Sequence, residues 1–277
     1  MKNILVPIDF SEASRNATDY AAALARDFKA NLILLHIIVP PIVIEDTSAS
    51  AYLMTEAEIL EGDKERMKIE VQNINAKFRI KPDSYIREGS VTEIIRDFTK
   101  SKKADVIVMG MKGRGKSNSI FGSTTVLVMR KSKIPVFVIP EAGIFRPITN
   151  ITLASEFDFE QEDYSILKEL AEKYDGNIRI VNVQKKEEML SVDDAVGKMN
   201  TDRSFVNYRH SFNTIQNKNV EKGIHDFLEQ NPSDLLAMIA HKHSFFKRMF
   251  GTVHTKEMSY QTRIPLLVLP FPGIVQE

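Results

Sequence analysis

The same run of residues occurs twice in this chain, and that repetition limits its fold more than any other feature. Asn3-Ile4-Leu5-Val6-Pro7-Ile8-Asp9-Phe10 recurs in register as Asn150-Ile151-Thr152-Leu153-Ala154-Ser155-Glu156-Phe157. Ile134-Pro135-Val136-Phe137-Val138-Ile139-Pro140 recurs as Ile264-Pro265-Leu266-Leu267-Val268-Leu269-Pro270. Between these, residues 91–122 align without a gap on 220–251. The identical pairs include Asp97/Asp226, Phe98/Phe227, Asp105/Asp234, Phe121/Phe250 and Gly122/Gly251. Shared apolar period would explain matched Val and Ile, but not matched Asp, Phe, Gly and Pro at fixed spacing. The period far exceeds that of solenoid repeats, so each copy is expected to be a whole domain. The boundaries fall at residues 1–142 and 147–277, joined by the short segment Glu141–Pro147.

Within the first copy, strand and helix patterns alternate. Apolar strands are expected at Ile4–Ile8, Leu32–Val39, Val106–Met109 and Val136–Ile139, and a short strand at Asp83–Arg87. Ser11 caps a helix whose apolar face is Ala17, Tyr20, Ala21, Leu24 and Phe28. A charged helix spans about 55–78. Ser90 caps another helix carrying Val91, Ile94, Ile95 and Phe98, and a last helix runs from about Gly122 to Lys131. Strands bare of polar residues alternating with helices indicate a parallel sheet covered on both faces. The fold class is therefore α/β: two tandem doubly wound, Rossmann-like domains, each with five parallel strands. The second copy keeps the plan in fewer residues, mainly by shortening the loop and helix after its second strand.

Bulk composition removes several function classes. Formal net charge is zero, whereas a general nucleic-acid binder usually carries a basic excess. There is no cysteine, which excludes disulfides, thiolate metal sites and cysteine nucleophiles and fits a reducing compartment. The longest apolar runs, Leu32–Pro41, Ile134–Pro140 and Pro265–Pro272, are too short to span a bilayer. Met1-Lys2-Asn3 leads straight into a strand, so a cytoplasmic protein without membrane or nucleic-acid partners is expected.

Residues 105–125 carry most of the functional signal. An apolar run ends at Met109-Gly110, a glycine-rich loop follows through Gly113 and Gly115, and Gly122-Ser123-Thr124 opens a helix. Glycines let the backbone approach an anion closely. A helix start adds unpaired N–H groups and the positive end of its dipole. Open parallel sheets bind ligands beyond the carboxyl ends of strands where strand order reverses. That placement brings Pro7-Ile8-Asp9 opposite Gly110–Gly115. A carboxylate there suits ribose hydroxyls. The glycine loop suits a polyphosphate, with Lys112, Arg114 and Lys116 beside it. Taken singly, each element has an ordinary reading: Asp9 as a helix N-terminal acid, the glycines as a strand-to-helix turn, the cations as solvated loop charges. His36 reads as a packed or capping residue, and the methionines of residues 54–129 as core filler. Only the conjunction at converging loops indicates a nucleotide site.

On these residues the chain resembles the universal stress protein family in its tandem form. The resemblance rests on Ile4-Leu5-Val6-Pro7-Ile8-Asp9-Phe10-Ser11, on Leu34-Leu35-His36-Ile37, and on the glycine loop. ATP-binding members carry Gly, two residues, Gly, nine residues, then Gly-Ser or Gly-Thr. Here Gly110, Gly113 and Gly122-Ser123 fit that pattern with eight intervening residues instead of nine. The resemblance implies ATP, alone or with Mg2+, with Asp9 near the ribose and the backbone near Ile37 meeting the adenine. It places Met109 and Gly110 against base and sugar, and Gly113, Gly122, Ser123 and Thr124 on the phosphates, with Pro7 and Ile8 leading into the site. It implies no dedicated catalytic residue and a role in stress survival. It also implies pairing through the last strand, either as an intrachain pseudo-dimer through Val136–Ile139 and Leu266–Leu269 or as a homodimer.

The second copy departs from this pattern. Gly110 is replaced by Ile239, Gly113 by Lys242, Gly115 by Ser244, Gly89 by Lys218 and Asp9 by Glu156, and only Gly251-Thr252 survives. Side chains at 239 and 242 block the close approach that glycine allows, so the second copy is expected not to bind ATP. His241, Lys242, His243, Lys247 and Arg248 leave its loop basic enough for a smaller anion. Two rival readings stand beside this one. A ligand-free scaffold needs no site. A P-loop triphosphatase would use Gly110-Met111-Lys112-Gly113-Arg114-Gly115-Lys116-Ser117, with Lys116 on phosphate and Ser117 on magnesium. The P-loop context is poor, because no strong helix start follows Ser117 and the strand at 136–140 ends without an Asp. No Ser/His/Asp ordering or metal-ligand spacing stands out, so the chain is read as a binding protein in which slow ATP hydrolysis by water needs no dedicated residue.

Overall fold

The computed structural model describes residues 1–40, 49–112, 121–157, 163–184, 192–240 and 264–270, with residues 49–56 as backbone only. The first copy runs β1 (Asn3–Ile8), α1 (Glu12–Phe28), β2 (Asn31–Ile38), α2 (Ala49–Phe78), β3 (Asp83–Glu88), α3 (Val91–Ser101), β4 (Val106–Gly110), α4 (Ser123–Lys131) and β5 (Val136–Ile139). The second runs β6 (Asn150–Ala154), α5 (Ser165–Tyr174), β7 (Asn177–Gln184), α6 (Val192–Phe205), β8 (His210–Gln216), α7 (Val220–Gln230), β9 (Leu235–Ile239) and β10 (Leu266–Leu269). The charged helix α2 begins earlier than its charge pattern implies, at Ala49. The second copy's counterpart of α2 is the shorter α6, as the sequence indicated. Ser11 caps α1 by accepting from the Ser14 amide. Ser90 occupies the cap position of α3 but makes no side-chain capping bond among the described residues.

All ten strands form one sheet in the order β3-β2-β1-β4-β5-β10-β9-β6-β7-β8. Within each half every pairing is parallel. The halves meet where β10 lies antiparallel to β5, with Leu267 opposite Phe137. The last strands thus pair within one chain, and neither is left as an open edge.

The central strands lack polar alternation because both faces are covered. Ile4 and Val6 join one core with Leu34, Val108, Phe137 and the α1 residues Ala17, Tyr20 and Leu24. Leu5 turns to the other face with Ile33, Leu35, Ile107 and Val138, against Ile95 of α3 and Met129 of α4. Both cores continue through the second half, the first over α5 and the second under α7. The connection after β5 is fastened to α1, since Asn16 donates to the carbonyls of Pro140 and Gly143 at 2.8 and 2.9 Å. Phe145 then packs edge-on against Tyr20 of α1 (5.1 Å) and Tyr174 of α5 (6.4 Å). Tyr174 donates its hydroxyl to Asp27 at 3.0 Å, tying the last turns of α5 and α1. Burial first, and then the Asp27 carboxylate, raise the Tyr174 phenol above its ordinary pKa.

The repeat is visible in backbone detail. Phe10 and Phe157 both adopt left-handed backbone, at φ 61° and 56°, just after the first strand of each half. Lys29 and Asp175 end α1 and α5 in the same conformation. Asp105 accepts from the Lys2 and Asn3 amides, and Asp234 accepts from those of Thr149 and Asn150. The matched aspartates therefore share one structural role, since each fastens the start of the first strand beside the fourth.

Candidate functional site

In the first half the sheet order reverses between β1 and β4, which pair through Ile4–Val106 and Leu5–Ile107. Extending that register sets Ile8 beside Gly110, and β2 runs level with them, with His36 opposite Ile8. The ends of β1, β2 and β4 therefore lie together at the switch point where an open α/β sheet takes its ligand. Pro7, Ile8, Asp9, Ile37 and Gly110 all sit at this end, as the strand pattern required.

Gly110 is glycine for a reason beyond any ligand. A Cβ there would stand 2.8 Å from the Ala13 carbonyl oxygen and 2.9 Å from its carbon, so β4 approaches the first turn of α1 at main-chain distance. The Gly110 carbonyl accepts from Thr125 at 3.1 Å, and the Gly122 amide donates to Met111 at 2.9 Å. The two ends of the glycine-rich loop are thus joined directly. Gly122 is the N-cap of α4 and offers no side chain to the helix amides, and no acid lies in the first turn. Ser123 is exposed and Thr124 half-buried there. The N–H groups and positive dipole end of α4 thus meet neither a capping side chain nor a first-turn acid of their own helix, an arrangement suited to an anion. Gly113, Gly115, Lys116 and Ser117 lie outside the described residues.

Asp9 is already engaged within its own loop. Its Oδ1 accepts from the Ser11 amide at 3.0 Å and the Ser11 hydroxyl at 2.6 Å, and its amide donates to the Ser14 hydroxyl oxygen. The helix-start reading of Asp9 therefore holds, while its place beyond β1 keeps the carboxylate at the sheet end. Met109 is only 6% exposed and packs among the α3 and α4 core residues. Its side chain belongs chiefly to the core.

A buried polar chain runs behind these residues, and only half of it was visible in the sequence. His36, 7% exposed, lies 2.8 Å by Nδ1 from the Ile8 carbonyl oxygen and 3.0 Å by Nε2 from Asp63 Oδ2 on α2. Asp63 also accepts from Arg66 at 3.2 Å. His36 is packed, as its place in an apolar strand implied. A polar ring in such a strand requires partners, but nothing in the sequence pointed to Asp63 as one of them.

The second half repeats the frame with other contents. Ile239, 2% exposed, stands where β4 has Gly110. The helix α5 starts later in its repeat than α1 does in the first. Asn182 replaces His36 and donates to the Ser155 carbonyl at 2.9 Å, the counterpart of the His36–Ile8 contact. A small cavity of about 30 Å³ remains among Ser155, Glu156, Asn182, Val220 and Ile239. The basic loop residues at 241–248 and the pair Gly251-Thr252 lie outside the described residues.

A doubly wound half with a glycine-ended strand and a helix start at its switch point defines a protein of the parallel-sheet α/β class. The profile of the Universal stress protein family matches residues 1–140, and the chain belongs to that family. It is 30% identical over 140 residues to a universal stress protein of Methanocaldococcus jannaschii, an alignment covering 50% of this chain and 81% of the relative. It is 30% identical over 142 residues to one of Synechocystis, covering 50% and 85%. The fold of the whole chain is that of a universal stress protein from Archaeoglobus fulgidus, with a TM-score of 0.70 at 18% identity over 97% of this chain and 96% of the other.

Proposed function

We propose that the first half, residues 1–142, binds one adenine nucleotide, ATP alone or with Mg2+, and that the second half, 147–277, does not. The protein then acts as a binding and regulatory component of a stress response, not as an enzyme. The observation that carries this reading is the junction of Gly110 with the N-terminus of α4 at the β1/β4 reversal. There main-chain amides and a helix dipole point where a polyphosphate would lie. In this reading Asp9 accepts from ribose hydroxyls and the main chain at Ile37 meets the base, while Gly113, Ser123 and Thr124 hold the phosphates. Magnesium would be carried by the phosphates, since among the described residues no three His, Asp or Glu side chains gather around a common point. Among the described residues no helix is long and apolar enough to cross a membrane. We read the compartment as cytoplasmic.

Titration calorimetry with ATP, joined to mass analysis of nucleotide released by acid, tests this directly. One site per chain is expected. Gly110→Ile, which copies the second half, should abolish binding. Two filled sites per chain would remove the asymmetry, and no bound nucleotide with no thermal shift would favour the scaffold reading. Lys116→Ala separates out the P-loop alternative, which should lose nearly all binding while the site described here keeps most of it. The described helix after the loop starts at Ser123, well beyond Lys116 and Ser117, which weighs against that alternative.

A further inference from the structure

We propose that Asp63 and His36 form a positioning relay, tying helix α2 to the loop that carries Asp9 and setting that loop for nucleotide. The inference rests on the nucleotide reading above for its ligand, and on geometry alone for the coupling. His36 faces an oxygen with each ring nitrogen, the Ile8 carbonyl at 2.8 Å and Asp63 at 3.0 Å. The ring is therefore held at both ends. Ile8 is the last residue of β1 and Asp9 follows it directly. The His36 ring also packs 4.5 Å from Phe10, whose left-handed backbone is the costly turn that redirects the chain from β1 toward α1. One imidazole therefore fixes the residue before Asp9 and the residue after it. Asp63 in turn anchors the imidazole from α2, and Arg66 holds the second oxygen of Asp63.

The second half is an internal control. Asn182 keeps the bond to the first strand, at 2.9 Å to Ser155. Its Oδ1, buried, has no hydrogen-bond partner among the described residues, and no acid from the described part of α6 reaches it. Phe157, equivalent to Phe10, packs on Phe212. Among the described residues the link to the helix is absent in the half where Gly110 has become Ile239. Relay and glycine occur together in one half, and neither is found among the described residues of the other.

Coupling of this kind is reciprocal: if α2 sets the loop, a ligand on the loop also steadies α2. The test uses the full chain and three variants. His36→Asn copies the second half, keeping the β1 bond and losing Asp63. Asp63→Ala removes the anchor. Asp63→Asn keeps an acceptor for the ring. ATP affinity by calorimetry, urea midpoints, and amide exchange at residues 8–14 and along α2 are measured on each. His36→Asn and Asp63→Ala should each weaken ATP about tenfold. Their double variant should be no weaker than either alone, and Asp63→Asn should restore most of the affinity. Exchange at Asp9 and Ser11 should quicken in the first two variants even without nucleotide. Unchanged affinity together with unchanged exchange, or additive losses in the double variant, would overturn the relay. If the wild-type chain binds no ATP, the nucleotide reading falls, and the exchange measurements alone decide the coupling between α2 and the loop.

Discussion

At Gly110 a single missing Cβ serves packing, and the proposed nucleotide site would use the same open space for ligand approach. The β4 backbone there lies against the Ala13 carbonyl, so even a methyl group forces α1 or β4 to move. Gly110→Ala should cost about 1–3 kcal/mol as overpacking against main chain, read as a lowered urea midpoint. The same substitution should also weaken ATP. A loss of binding without any loss of stability would mean that the glycine serves the ligand alone. Asp105 and Asp234 offer a paired test of the repeat. Each accepts two backbone amides at the start of a first strand, and each is close to solvent. Asp105→Ala and Asp234→Ala should each cost about 1 kcal/mol, by equal amounts within error in denaturant unfolding. His36 lies at the other extreme of legibility. A lone polar ring in an apolar strand announced that it was satisfied, but not by what. Asp63 is one of many acids on a charged helix, 27 residues away, and nothing local marks it as the one that turns inward.

At the scale of elements, β8 and α6 carry a pH dependence of their own. His210 lies 3.0 Å by Nε2 from Asp202 of α6 and 2.9 Å by Nδ1 from the Tyr208 carbonyl. Burial works against the charged ring, but the hydrogen bonds to Asp202 and to the Tyr208 and Phe205 backbone, with the Asp202 charge, outweigh it and raise its pKa. A raised histidine contributes stability in full below the unfolded pKa of about 6.5, and loses it as pH climbs through the higher folded value. His210→Gln should therefore lower the urea midpoint near pH 6 and matter progressively less toward pH 8. Asp202 is 58% exposed, so the effect should be small and should shrink in high salt. A midpoint difference that stays flat across this range would assign the histidine a packing role only. β8 itself, His-Ser-Phe-Asn-Thr-Ile-Gln, has no apolar run and was legible only as a copy of the first half's plan. The start of α2 was not legible, because the charge pattern that marked this helix begins only at Glu56, beyond its first turns.

At the scale of the molecule, the antiparallel pairing of β5 with β10 converts two five-stranded halves into one sheet. All four residues of β5 are buried when both halves are present. A fragment ending at residue 142 would expose that strand as an apolar edge, so sedimentation should find it as dimers or larger species. A monodisperse monomer would show that the edge can be left uncovered. The aromatic bridge through Phe145 belongs to this scale too, because one side chain of the connection packs on helices from both halves. Phe145→Ala should cost about 1–3 kcal/mol, less than a fully buried phenylalanine would, with the loss visible in thermal unfolding of the whole chain.

The order of residues was enough to reveal the duplication, the parallel α/β class, the strands buried on both faces and the glycine-ended fourth strand. All of these follow from local composition and spacing, through the geometry of the backbone and the covering of apolar residues. Four further facts emerged only from the folded chain: Asp63 is the acid that meets His36, Met109 spends its side chain on the core, Ala13 is what Gly110 must clear, and Phe145 joins the halves. Each of these is a contact between segments distant in the chain. Such contacts depend on how helices settle over the sheet, and no local pattern of residues encodes that.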